Sequence, residues 1–201
     1  MDFFETVRNR YSARRYSGGP VPEQDLRRML EAAVRAPNAT NDQPWHFVVI
    51  RENAVKQSMR DVVAAVLDAA VHAASDPARK ERLSRMRAYS IHFAEAPAAI
   101  ALLARPWAGG SGAEPDSTAR ELGLESASMA AAHLLLAATA LGYGGCFASA
   151  PAEFARAELE AVLGVEQPWF LVGIISLGVP RGPRSRIAPR KPLEEVCTFI
   201  G

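Results

Sequence analysis

The chain has 201 residues, 49% hydrophobic and 22% charged, with 23 basic and 22 acidic side chains and a formal net charge of +1. That is enough for one domain with a substantial core, and the even balance gives no electrostatic reason to expect a nucleic acid or anionic membrane partner. Cys146 and Cys197 form no metal-ligand spacing. The acidic start Met1-Asp2-Phe3-Phe4-Glu5 does not read as a signal peptide, and the most apolar stretch, Ala127 to Ala140, is shorter than the roughly 20 residues that cross a bilayer. A cytoplasmic location is expected.

Asp2 to Asn9 reads as a short helix leading into a basic segment, Arg10 to Tyr16, broken by Ser17-Gly18-Gly19-Pro20. Pro22 stands where a helix begins, and Glu23 to Arg35 puts Leu26, Met29, Leu30 and Ala33 on one face. Ala36 to Pro44 is a polar loop. Trp45 to Ile50 reads as a strand buried on both faces or nearly so. Glu52 to Ala74 and Ala78 to Phe93 read as two long helices, and Ala98 to Leu103 as a second strand. Pro106 to Ser117 is a Gly-rich loop or lid. Glu121 to Leu141 is apolar almost all round, which predicts a buried helix. Gly142 to Gly145 ends it, before a short strand at Cys146 to Ala148, a helix at Ala152 to Leu163 and a strand at Trp169 to Leu177. Pro183 to Ile200 looks like an extended basic arm. With no repeat and no linker, residues 1–201 read as one α+β domain.

No hydrolytic or metal motif is present, and His46, His72, His92 and His133 lack metal-ligand spacing. His133, in the apolar helix, reads as a core or interface histidine. The Gly142 to Gly145 run follows a helix rather than a strand, so it fails the dinucleotide-binding context and reads as a helix stop. Arg10, Ser12 and Arg14 alternate, so in an extended segment they point to one side. They suit an anion, or are a solvated basic turn. Asn38, Asn41 and Gln43, between Pro37 and Pro44, suit a polar heterocycle or polyol, or are ordinary turn residues. Arg190-Lys191 adds a cationic point in the arm.

In chain order, Arg10-x-Ser12-x-Arg14-x-Tyr16, the Ala36-Pro37-Asn38-x-x-Asn41-x-Gln43-Pro44-Trp45 loop, Leu141-Gly142-Tyr143-Gly144-Gly145 and Arg190-Lys191-Pro192-Leu193 resemble the nitroreductase family, over about Phe3 to Val196. The resemblance implies a central mixed, mostly antiparallel sheet flanked by helices. It also implies a homodimer that exchanges its C-terminal arms and has its active sites at the subunit interface.

The implied cofactor is non-covalent FMN. Arg10, Ser12 and Arg190 would clamp its phosphate, with Arg14 near the flavin N1 and C2 carbonyl. Pro37, Asn38, Asn41 and Gln43 would line the isoalloxazine and ribityl chain, and the backbone N–H groups of Ser149 and Ala150 would face N5 and O4. Flavin-borne hydride chemistry needs no catalytic side chain. NADH or NADPH would be the donor in a ping-pong cycle, with small-molecule acceptors such as nitroaromatics, quinones or flavins. Branches that fragment flavin, dehalogenate or oxidise azolines share the motifs, and a flavin-binding sensor or docking module without turnover is the alternative from another class. The chain departs from the family pattern at Asn38, where serine is usual, at Ser149-Ala150, which replaces an acidic-glycine pair, and at Ala188, where some members carry lysine. Trp107 would either swing over the flavin face or pack on its own loop, and Ser149 would either face the flavin or only cap the following helix.

Overall fold

In the computed structural model, which describes residues 1–109, 117–182 and 188–201, the chain builds one sheet between two helical layers. The strands β1 (Trp45–Ile50), β2 (Ala98–Ala104), β3 (Gly144–Ala148) and β4 (Phe170–Gly178) run in the order β1-β2-β4-β3, each pair antiparallel. The only parallel pairing among the described residues is an isolated bridge between Ser12 and Gly145. The central strands β2 and β4 are buried at every position, as expected of apolar runs covered on both faces.

The two-residue side-chain period sorts β2 between two cores, and in β4 a bulge opposite Leu102 and Leu103 shifts the alternation by one residue. Ile100, Leu102, Val172 and Ile175 face the helices α2 (Glu23–Ala33) and α5 (Ser117–Ala140), where they meet Met29, Ala127 and Leu134. Ala101, Leu103, Leu171 and Ile174 face α3 (Asn53–Ala73), α4 (Pro77–Ser90) and α6 (Ala150–Leu163), against Met59, Leu67, Phe93 and Leu159. Helix starts follow local chemistry. Asp2 caps α1 (Phe3–Asn9) by accepting from the Glu5 N–H at 2.9 Å, and Asp76 caps α4, which has Pro77 in its first turn.

Several expectations need correction. β1 is an edge strand with His46 and Val49 exposed, so it is not buried on both faces. Gly144 and Gly145 lie inside β3, and the turn falls at Leu141-Gly142. A Cβ on Gly144 would lie 2.6 Å from the Ala13 Cβ, so only glycine lets the segment after α1 lie against β3. Helix α5 has 24 residues, longer than its most apolar stretch, and its length and composition would suffice to cross a membrane. One face, with Ala127, Ala130, Ala131, Leu134 and Ala138, is buried against the sheet and α2. The other leaves Leu124 and Met129 exposed, so the helix is not buried all round. Helix α1 packs on α5 and exposes Phe3, Phe4 and Val7. Residues 188–201 are exposed throughout, with a single turn of 3-10 helix at Leu193–Glu195; residues 183–187 of the expected arm lie outside the described residues.

Candidate functional site

Residues 11–17 leave α1 and run along the sheet margin. The Ala13 N–H donates to the Gly145 carbonyl at 3.1 Å, the Ser17 N–H to Val179 at 2.8 Å, and the Arg181 N–H to the Arg15 carbonyl at 3.0 Å. This pairing buries Ala13 and leaves Arg14 and Arg15 exposed. Tyr11, Ser12, Ala13, Arg14, Arg15, Arg181 and Gly182 line a cavity of about 780 Å3. That lies within the roughly 300–1,000 Å3 typical of small-molecule sites. Three guanidinium groups and two hydroxyls give it the donor set for an anion such as a phosphate.

Arg10, Ser12 and Arg14 all act on the buried Cys146 thiol of β3. Burial pushes the Cys146 thiol up, while Arg14, Ser12 and Arg10 oppose that rise. Ser12 and Arg14 line the cavity, and Arg10 does not. Arg15 and Arg181 were missed, because nothing in the sequence shows that residue 181 returns beside residue 15.

Behind the cluster lies a buried hydrogen-bond chain. The Tyr16 hydroxyl donates to the Ala13 carbonyl at 2.6 Å and lies 2.7 Å from Ser176 Oγ. Ser176 Oγ is 3.2 Å from His92 Nε2, and His92 Nδ1 is 2.6 Å from the Tyr89 carbonyl. A carbonyl only accepts, so Nδ1 carries a proton, and in the neutral ring Nε2 accepts from Ser176. Burial lowers the His92 pKa, the Tyr89 carbonyl opposes that, and Arg14 adds to it. Burial also raises the Tyr16 pKa, against its bond with Ser176.

The loop at residues 36–44 folds on itself. Asn38 Oδ1 accepts from the Gln43 N–H at 2.8 Å, Asn38 Nδ2 donates to the Ala36 carbonyl at 3.3 Å, and Gln43 Nε2 donates to the Asn41 carbonyl at 3.4 Å. Amides expected to reach a ligand thus also brace the loop. Thr40, Asn41 and Gln43 have φ of 50°, 59° and 49°, a left-handed conformation costing roughly 1–2 kcal/mol per non-glycine residue.

Asp42 anchors the loop. Arg105 grips its two carboxylate oxygens at 2.9 Å each and its carbonyl at 3.0 Å, and the Ala108 N–H donates to the carboxylate at 3.2 Å. Trp107 packs on its own loop, where a Cβ on Gly109 would collide with its ring, and its Nε1–H also donates to Thr40 Oγ1 at 2.9 Å. Gly110 and the rest of the expected lid to residue 116 lie outside the described residues.

This loop and the cationic cluster occupy opposite corners of the sheet. The loop enters β1 at Trp45, opposite Ala104, whereas the cluster lies by Gly144, Gly178 and the Ala98 row on the β3 edge. That separates them by roughly 14 Å across three strand spacings and roughly 20 Å along the strands. Ser149 and Ala150 lie on the cluster's edge, where α6 begins at Ala150 instead of Ala152; Ser149 makes no side-chain capping bond. Arg190 is exposed, and its described bonds run to its own segment, at Ala188 and Pro189. One chain does not bring all ten predicted residues together.

The fold is that of an α+β protein, and the cavity carries the donor set for an anion. The model of the nitroreductase family matches residues 7–179, and the chain belongs to that family. It is 49% identical over 61 residues to an NADH dehydrogenase of Thermus thermophilus, a match covering 30% of each protein. A BluB-like flavoprotein from Clostridium difficile 630 has the same fold over the whole of both chains, with TM-score 0.86 and 28% identity. An FMN- and NADPH-dependent nitroreductase from Sphigopyxis sp. strain HMH, 22% identical, matches in fold over the whole of both chains with TM-score 0.72.

Proposed function

We propose that the chain is an FMN-dependent oxidoreductase that takes hydride from NADH or NADPH and passes it to a small nitroaromatic, quinone or flavin acceptor. The observation that carries this reading is the cationic cavity formed by Ser12, Arg14, Arg15 and Arg181. Its fixed charges suit a phosphate monoester, and its size suits a mononucleotide. Bound there, FMN supplies hydride acceptance and donation.

The protein's part is binding and orientation. Arg10 and Ser12, with Arg190 of the arm, hold the phosphate, and Arg14 sets positive charge near the N1 side of the ring. The N–H groups of Ser149 and Ala150, at the start of α6 where intrahelical acceptors are lacking, serve the N5 and O4 edge. Pro37, Asn38, Asn41 and Gln43 cover the ring and ribityl chain of the site across a homodimer, because their corner lies too far from the cluster of their own chain. The exposed Phe3, Phe4, Leu124 and Met129 of α1 and α5 supply apolar surface for that dimer. Residues 1–201 act in this reading as one cytoplasmic domain with neither nucleic-acid nor membrane partners.

A second reading, a specialised branch of the family, is favoured by the full-length likeness to the BluB-like flavoprotein. Flavin identification, light scattering and an acceptor panel test both. The first reading expects FMN, a dimer mass and NAD(P)H oxidation with quinones or nitroaromatics. FMN without that oxidation favours the second. Arg14→Ala and Arg181→Ala should each weaken FMN retention by about 1.5–3 kcal/mol; wild-type retention in both overturns the cavity assignment.

A further inference from the structure

The three left-handed residues Thr40, Asn41 and Gln43 lie within four positions, and none is glycine. Such backbone persists only where its surroundings over-determine it, and here two fastenings from the β2–α5 connection do so. Arg105 closes a fork on Asp42, with two bonds of 2.9 Å to the carboxylate and one of 3.0 Å to the carbonyl. Trp107 holds Thr40 by one bond of 2.9 Å. The fork is largely shielded, with the Arg105 and Asp42 side chains 23% and 13% exposed. Arg105 is itself fixed, because its N–H donates to the Pro44 carbonyl at 3.1 Å and its guanidinium to the Pro106 carbonyl at 3.1 Å.

We propose that Arg105 and Trp107 are positioning residues that hold the turn at residues 39–43 in a preset left-handed shape, so that the loop presents a rigid wall to the ligand. The loop's contribution is then its fixed backbone, since the Asn38 and Gln43 amides are engaged within it. Preorganisation of this kind lowers the ordering cost of binding. This inference rests on the FMN reading.

Three substitutions test it. Arg105→Lys keeps the charge but loses the fork, and Trp107→Phe keeps a ring but loses the N–H donor. Thr40→Asn supplies a residue that tolerates the left-handed conformation and keeps a side-chain oxygen for the Trp107 N–H. The readouts are the Kd of the apoprotein for FMN, hydrogen exchange at the Asp42 and Gln43 amides without ligand, and the melting temperature. Arg105→Lys should raise the Kd about tenfold and Trp107→Phe about threefold, each with faster exchange at those amides. Thr40→Asn added to Arg105→Lys should return the Kd to within about threefold of the parent, a rescue that general destabilisation would not give. A Kd within twofold of the parent in both single variants overturns the proposal. So does a loss of affinity that tracks the melting temperature and is not rescued by Thr40→Asn. A parent that fails to bind FMN overturns the cofactor reading and this inference with it, whereas a binding parent with unaffected variants overturns only the positioning role.

Discussion

Tyr16→Phe isolates the hydrogen-bond chain behind the cationic cluster. The substitution removes a hydroxyl bonded to the Ala13 carbonyl at 2.6 Å and to Ser176 Oγ at 2.7 Å. Ser176 is not orphaned, because it retains His92 Nε2 at 3.2 Å and the Cys146 carbonyl at 3.4 Å. The Ala13 carbonyl loses this donor in a residue only 3% exposed. One buried acceptor deprived of its partner costs about 1–3 kcal/mol. For a chain of this size that corresponds to a melting temperature lower by roughly 2–4 °C per kcal/mol. Urea unfolding should show a lower midpoint at an unchanged slope. A double-mutant cycle with Ser176→Ala should give a coupling of about 0.5 kcal/mol or more. A Tyr16→Phe loss below about 0.5 kcal/mol, with additive effects in the cycle, would refute the idea that this chain supports the Ser12–Arg14 backbone.

His92 gives the chain a pH dependence. Burial lowers its folded-state pKa below the ordinary 6.5, so the unfolded chain takes up a proton that the native one does not. The stability this contributes is complete above pH 6.5 and is lost as the pH falls from there through the folded value; His92→Gln should flatten that decline in urea midpoints, and an unchanged slope would exclude His92 as its source. Gly123 of α5 lies so close to β2's end that a Cβ would sit 2.1 Å from the Arg105 carbonyl. Gly123→Ala should therefore destabilise by about 1–3 kcal/mol despite alanine's better helix propensity, and a stabilised variant would contradict the close approach. Ser149→Ala should cost less than about 0.5 kcal/mol, because no capping bond is lost, while Ser149→Pro should slow flavin reduction by NAD(P)H. A proline variant with wild-type reduction rate would remove the Ser149 N–H from the site.

The sequence by itself determined the elements whose signal is local. Trp45–Ile50 appears at its predicted bounds, Asp2 and Asp76 start the helices they cap, and the apolar runs of β2 and β4 become the central strands. The basic segment after α1 is likewise extended, with Ser12 and Arg14 among the residues that line the cavity.

Only the tertiary structure decided what depends on long-range return of the chain. Arg181 joins Arg15 because β4 ends beside residues 11–17, and His92 meets Ser176 across 84 positions. Asp42 finds Arg105 across 63 positions. The strand order, which no local pattern encodes, sets the residue 36–44 loop and the cationic cluster at opposite corners. Side-chain chemistry is written residue by residue, but which charges share a cavity is settled by sheet topology and by the packing of α5 and α3 on its two faces.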